Sequence, residues 1–309
     1  MRQFSKKFIK YEGNPLSIPN YNAVGVIHPD VVYFPEGYDG YKYWMFYTPY
    51  PPDSEENPSL VRSNDGIHFE DTGICNPLVS RGDAVHLADP DVIKVGDTWY
   101  MYYTRRYDQN GVINYVIDLA TSLDGKKWIK YEKNPVLWQT EEWEIIPENW
   151  HIAPKARSVA EPTLYHDGRC FWMWYTGGDN KIGLAKSVDG KNWIKQNNAQ
   201  PVLKGTPGER DAKGMNHPDV VYYKGKFWMF YVEWTLPRTL GLAVSTDKVH
   251  WKKRRYPILV GERGKWDESL YRASAIIVDG VIKLYYSGIK NEKPQIGLAT
   301  SKTIEGGKK

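Results

Sequence analysis

Apolar and polar positions along this chain fall into a unit that recurs five times. An apolar strand opened by a polar residue and proline leads to an aromatic strand, and a third strand then closes in S-x-D-G. The openings are His28-Pro29-Asp30-Val31-Val32, Asp89-Pro90-Asp91-Val92-Ile93, Glu161-Pro162-Thr163-Leu164-Tyr165, His217-Pro218-Asp219-Val220-Val221 and, without proline, Arg272-Ala273-Ser274-Ala275-Ile276. Aromatic second strands are predicted over 44–47, 99–103, 171–175, 227–231 and 283–286. Third strands end at Ser63-Asn64-Asp65-Gly66, Ser122-Leu123-Asp124-Gly125, Ser187-Val188-Asp189-Gly190 and Ser245-Thr246-Asp247-Lys248, and short fourth strands carry Phe69, Trp128, Trp193 and Trp251. Glycine after aspartate suits these turns because it accepts positive φ without steric cost. Such periodicity predicts radial repetition, an all-β five-bladed β-propeller with four antiparallel strands per blade.

The ends of the chain complete the pattern. Residues 8–16, Phe8-Ile9-Lys10-Tyr11-Glu12-Gly13-Asn14-Pro15-Leu16, closely match the fourth-strand segment Trp128-Ile129-Lys130-Tyr131-Glu132-Lys133-Asn134-Pro135-Val136, while the last unit stops after its third strand at Ala299-Thr300-Ser301. The N-terminal strand is therefore expected to close the last blade. One propeller consumes residues 1–309 and leaves no linker, so a single domain is expected.

Composition adds chemistry to this frame. Thirteen Trp and twenty-three Tyr exceed what a core alone requires, so part of the aromatic surface is expected at a ligand or between blades. The net charge of +4 is unclustered, which argues against nucleic acid as a partner. No stretch approaches the ~18 apolar residues of a membrane span, and residues 1–7 lack a signal-peptide core, so a cytoplasmic protein without membrane contact is expected. Cys75 and Cys170 lie in different blades and read as reduced structural thiols.

Positions that recur in every unit are explained by the fold, so function is sought where the units differ. Inner strands of a propeller begin near its axis, and the openings therefore present His28, Asp89, Glu161, His217 and Arg272 to one mouth of the channel. Five polar residues of unlike charge at one mouth suit a polar ligand. The competing view has them bonding one another to plug the channel. Loops around the same mouth carry Tyr21, Asn22, Tyr50, His86, Arg105, Trp143, Trp150, His151, Asp179, Trp234, Trp266 and Asp267.

The openings Asp89-Pro90 and Glu161-Pro162, with the aromatic runs and S-x-D-G-x-x-W turns that follow, resemble the five-bladed glycoside hydrolases of family 43 and their relatives in families 32, 117 and 130. That resemblance implies an oligosaccharide or polysaccharide substrate, Glu161 as general acid and Asp89 as the carboxylate that tunes it. His28 occupies the place where the resemblance expects an Asp base. Asp30, two residues on, is the substitute candidate, although Asp91 and Asp219 recur at the same place. Further candidates for base or sugar contacts are Glu56, Asp83 and Glu233, and His28 itself has a suitable reference pKa of about 6.5. His28, Glu56, His86, Arg105, Asp179, His217, Glu233, Trp234 and Arg272 complete the expected binding set.

A glycosidase needs a carboxylic acid at the leaving oxygen and, in the common cases, a second carboxylate whose separation from it sets the stereochemistry. The sequence therefore predicts a glycoside hydrolase that requires no cofactor. Three alternatives stay open. One is a catalytically silent glycan-binding propeller, and another is a family 130-like phosphorylase with Arg272 and the histidines holding phosphate. The third places a divalent ion among His28, His217 and Asp89 in the channel. The turn resembles the Asp box of sialidases, yet its glycine comes one residue early and the ring offers a single arginine, which disfavours that chemistry.

Overall fold

The computed structural model describes residues 8–50, 56–146 and 156–301. It is all-β, and its strands fall into antiparallel groups that follow the sequence units. The first holds β2 (Gly25–Tyr38), β3 (Tyr41–Tyr50) and β4 (Ser59–Ser63). The second holds β5 (His86–Val95), β6 (Thr98–Gln109), β7 (Val112–Ser122) and β8 (Ile129–Lys130). The third holds β9 (Arg157–His166), β10 (Phe171–Gly177), β11 (Lys181–Ser187) and β12 (Ile194–Lys195), and the fourth β13 (Met215–Tyr223), β14 (Lys226–Glu233), β15 (Thr239–Ser245) and β16 (Lys252–Lys253). The last group runs β17 (Ser269–Val278), β18 (Val281–Lys290), β19 (Lys293–Ser301) and then β1 (Phe8–Lys10), the N-terminal strand.

Two features depart from the sequence reading. The fourth strand expected at Phe69 is reduced to one bridge between Arg62 and Glu70. A short parallel pairing of Asn114 and Tyr115 with Arg157 and Ser158 joins the second and third groups into one sheet. Among the described residues no helix is long and apolar enough to cross a membrane. Cys75 is exposed and both cysteines are free thiols.

Aromatic second strands pack between neighbouring groups. Trp44 and Phe46 of β3 meet Leu87, Trp99 and Met101 of the second group, with Trp44 and Trp99 fully buried and their rings 5.1 Å apart. The S-x-D-G segments are turns that cap these interfaces. Ser63 Oγ accepts from the Gly66 N–H at 2.9 Å and Asp65 Oδ1 from the His68 N–H at 2.9 Å, and the same bonds recur at Ser122, Ser187 and Ser245. Gly66 has φ 77, and a Cβ there would lie 2.5 Å from the Tyr285 hydroxyl.

A second set of bonds links the inner strands. Asp30 accepts from the Val92 N–H at 2.8 Å, Asp91 from Leu164 at 2.9 Å, Thr163 from Val220 at 3.2 Å, Asp219 from Ala275 at 2.9 Å and Ser274 from Val31 at 3.0 Å. Each side chain two residues past an opening thus grips the backbone of the next unit. The sequence of bonds returns to its starting strand.

Candidate functional site

Four of the five openings put their polar residue in the left-handed region: His28 (φ 58), Asp89 (φ 53), Glu161 (φ 56) and His217 (φ 46). At each one the pairing of inner and aromatic strands slips, between Ile27 and Asp30, Ala88 and Asp91, Ala160 and Thr163, and Asn216 and Asp219. A bulge of this kind re-aims a side chain out of the sheet's alternation. The left-handed backbone costs about 1–2 kcal/mol per residue and needs neighbours to enforce it.

Those neighbours are hydroxyls at the ends of aromatic strands and one carboxylate. Thr104 Oγ1 accepts from the Glu161 N–H at 2.8 Å, Thr176 Oγ1 from the His217 N–H at 3.2 Å and Ser287 Oγ from the His28 N–H at 3.2 Å, while Glu161 Oε2 accepts from the His217 N–H at 2.8 Å. The sequence carries the signal for these hydroxyls in Tyr103-Thr104, Tyr175-Thr176 and Tyr286-Ser287, and Tyr47-Thr48 of the same form contacts the His28 ring.

The re-aimed side chains meet in one cavity of 410 Å³, lined also by Glu56, His86, Tyr115, Trp234, Arg238 and Tyr271. His28 Nε2 lies 3.3 Å from Asp89 Oδ1, and His217 Nδ1 lies 3.2 Å from the same oxygen. His217 Nε2 is 3.2 Å from Glu161 Oε1. The His217 ring bridges Asp89 and Glu161, the two acids that the family resemblance pairs. His28 Nδ1 is 2.8 Å from Thr48 Oγ1 and 3.3 Å from Glu56 Oε1, and Glu56 Oε2 is 3.6 Å from His86 Nδ1.

Burial alone raises the Asp89 carboxyl, yet His28, His217 and Arg272 outweigh it and hold the group below the ordinary carboxylate range. Burial opposes charge on His28, but the Asp89 and Glu56 carboxylates overcome it and its pKa is raised. His86 is lowered by burial despite the same two acids.

Asp30 and Arg272 lie outside the cavity. Arg272 is 1% exposed and donates to the carbonyls of Pro90 and Pro162 at 3.0 and 3.2 Å, facing Asp89 and Asp91 at 3.6 Å. Its opening lacks proline and a left-handed residue, and Tyr271 takes the cavity position while the Arg272 side chain is buried outside it. Asp30 is bonded to Val92 and clusters with Asp91 and Asp219 beside Arg272, as the recurrence of aspartate at that place implied.

Other expected contacts are absent from the cavity. Arg105 pairs with Asp118 at 2.7 Å, and Asp179 pairs with Lys181. Glu233 is held by Thr239 at 2.7 Å and by Arg210 at 2.9 Å, against a separate hollow. Trp143 stacks on Tyr175 and donates to the Ala199 carbonyl, while Trp266 stacks on Tyr286. Both are packing residues, and Asp83 does not line the cavity. Trp150 and His151 fall outside the described residues.

The buried acids below the cavity give stability a pH dependence. Burial and the neighbouring Asp91 push Asp219 up to about 8, against its bond from Ala275 and the charge of Arg272. Burial likewise lifts Asp91 to about 6, offset first by Arg272. A carboxyl raised on folding contributes stability that is full below its unfolded value near 3.8 and is lost as pH rises through about 8. Asp219→Asn keeps an acceptor for Ala275 and has no proton to lose. Its Tm relative to wild type is expected to rise between pH 5 and pH 8, and a flat difference would refute the charge cost.

The sequence also matches known proteins. A family model described as β-1,4-mannooligosaccharide phosphorylase matches residues 105–278, more than half of the chain. The chain belongs to glycoside hydrolase family 130. The expected kinship with families 43, 32, 117 and 130 thereby resolves to family 130, a carbohydrate-active family. A curated relative, the A type blood N-acetyl-α-D-galactosamine deacetylase of Flavonifractor plautii, is 28% identical over 86% of this chain. The chain spans 40% of that relative's length. The crystal structure of an N-acetylgalactosamine deacetylase from F. plautii, in complex with blood group B trisaccharide, superposes with TM-score 0.72 at 24% identity, covering 96% of this chain and 95% of that one. The β-1,2-mannobiose phosphorylase of Listeria innocua gives TM-score 0.67 at 14% identity, covering 95% and 96%. Both structures share the fold of this family 130 chain.

Proposed function

We propose that this protein is a divalent-metal-dependent hydrolase that removes an N-acyl group from an amino sugar, with His28, Asp89 and His217 holding the ion. The observation that carries this reading is a set of buried donor atoms converging on one point, with Asp89 Oδ1 and His217 Nδ1 making no hydrogen bond of good geometry and His28 Nε2 3.3 Å from the same Asp89 oxygen. Two ligands each about 2.0–2.2 Å from a common ion lie roughly 3–3.5 Å apart at right to tetrahedral angles. The separations of 3.2 and 3.3 Å match that spacing. The Thr48 hydroxyl donates to the Ile27 carbonyl and accepts from His28 Nδ1, which leaves the Nε2 lone pair facing Asp89. Glu161 stands behind His217 Nε2, the arrangement that sets the tautomer of a ligating imidazole. Two imidazoles and a carboxylate suit zinc, manganese or another first-row divalent ion. The deacetylase name of the curated relative supports the same reading.

A bound ion supplies Lewis acidity to the amide carbonyl and makes water acidic enough to attack near neutral pH. Glu56, between His28 and His86, takes the proton of the attacking water. His86, neutral by burial, receives that proton through Glu56 and delivers it to the amine nitrogen as the C–N bond breaks. Water and amide give carboxylate and ammonium, the second proton passing from the new carboxylic acid to the amine, and the chain is unchanged. Glu161 keeps the His217 ring in place through its two contacts.

Phosphorolysis is the second reading, favoured by the description of the matching family and by Glu161 and Arg238 lining the same cavity. One experiment separates the two. Protein stripped by a chelator should release no acetate from methyl N-acetylhexosaminides and should recover on adding Zn²⁺ or Mn²⁺. Phosphate-dependent formation of a sugar 1-phosphate from β-1,4-mannobiose, unaffected by the chelator, would overturn the deacetylase reading.

We infer the same way that the strands form a five-bladed propeller. Five antiparallel groups support it, as do the bonds from Asp30, Asp91, Thr163, Asp219 and Ser274 that return to their starting strand.

A further inference from the structure

Arg238 lines the cavity with the guanidinium laid on aromatic rings, its carbon 4.1 Å from the centre of Trp234 and 5.1 Å from that of Tyr271. Its backbone is pinned to the start of β17, the N–H donating to Ser269 Oγ at 3.1 Å and the carbonyl accepting from Leu270 at 3.1 Å. Arg62, Arg105, Arg106, Arg210 and Arg272 each face a carboxylate. Among the described residues Arg238 faces none, and its guanidinium donates no hydrogen bond. A guanidinium held flat by rings keeps its edge N–H groups for a planar or tetrahedral oxyanion.

Its surroundings fix which part of a ligand it meets. Tyr271 is shared: its ring centre lies 5.1 Å from the Arg238 guanidinium, 4.1 Å from the His217 ring and 5.7 Å from the His28 ring. Arg238 is the one arginine or lysine among the described residues that line the cavity, whose carboxylates are Glu56, Asp89 and Glu161. We propose that Arg238, stacked on Trp234 and Tyr271, recognises an oxyanion substituent, a carboxylate or a sulfate, carried by the glycan whose reacting group sits at His28, Asp89 and His217. The position of that reacting group rests on the function proposed above.

The test compares methyl N-acetylgalactosaminide, its 6-sulfate and a disaccharide joining it to glucuronate, with wild type, Arg238→Gln and Arg238→Lys. Wild type should favour at least one acidic probe over the neutral one about tenfold or more in kcat/KM, through KM, because a hydrogen bond to a charged group contributes that much. The preference should fall to near unity in Arg238→Gln, return in part in Arg238→Lys and weaken with salt. A neutral probe used as well as both acidic ones, or a preference that survives Arg238→Gln, overturns the proposal. Calorimetric binding of the sulfated probe is read separately. If no probe releases acetate, yet binding of the sulfated probe still depends on Arg238, the deacetylase reading fails and the oxyanion site stands. If inorganic phosphate accelerates sugar release and neither acidic probe binds better than the neutral one, Arg238 is a phosphate site and the proposal fails.

Discussion

Asp89→Asn should abolish acetate release, lowering kcat/KM by about 10³-fold or more, whereas Glu161→Gln should lower it only about 10–100-fold, the range for groups that support a metal ligand. The asymmetry follows from the contacts of the two acids. Asp89 Oδ1 is the atom that both imidazoles share, at 3.3 Å from His28 and 3.2 Å from His217. Asparagine keeps the size of the side chain but offers a weaker, neutral ligand. Metal affinity measured by calorimetry should fall in parallel with activity. Glu161 touches the cluster only through His217, and glutamine retains an acceptor for the His217 N–H. A glycosidase predicts the reverse order. There Glu161 would be the proton donor, and its loss would be the severe one on sugars with poor leaving groups. Circular dichroism of each variant separates lost chemistry from lost structure. Asp89→Asn that retains a tenth of the wild-type activity, or Glu161→Gln more damaging than Asp89→Asn, would remove the metal cluster from the mechanism.

His28, Asp89, Glu161 and His217 were legible in the sequence because each precedes a proline at the same point of a repeat, and that repeated point is the bulge that turns the side chain into the cavity. The ring alignment misread its fifth member. Without proline the last opening makes no left-handed turn, Arg272 is buried outside the cavity while Tyr271 lines it, and the missing proline was itself the signal. Asp30 illustrates the converse: a residue type that recurs at Asp91 and Asp219 holds the ring together through a backbone bond. Arg238 was hidden for a different reason. It lies in the turn before β15, where no repeat marks it, and its place against Tyr271 depends on a contact between separate units. The parallel pairing of β7 with β9 escaped notice likewise, since a two-residue contact leaves no pattern of its own.

The second large effect concerns closure, where the chain end substitutes for an outer strand. Deleting residues 1–16 should leave a protein that no longer melts cooperatively. β1 pairs with β19 in register Phe8–Ser301, Ile9–Thr300 and Lys10–Ala299. Beyond the strand, the Tyr11 N–H donates to Leu298 and the Leu16 N–H to Ile296, each at 2.8 Å. The Asn14 amide bridges both backbone groups of Leu298, at 2.8 and 2.9 Å. Asn134 makes the same bridge to Leu119, and Asn76 to Leu60, so Asn14 occupies the equivalent place in the last unit. Phe8 and Leu16 are buried at 6% exposure, each stabilising by about 1.5–3 kcal/mol. Four hydrogen bonds add about 0.5–1.5 kcal/mol apiece. The sum, roughly 5–12 kcal/mol, is comparable to the whole stability of a domain, about 5–15 kcal/mol. Truncation also leaves β19 as an unpaired edge, open to pairing with another copy. A synthetic peptide of residues 8–16 added to the truncated protein should restore cooperative melting by taking the same edge. A truncated protein that melts like the full chain would mean that the remaining strands hold the last group without it.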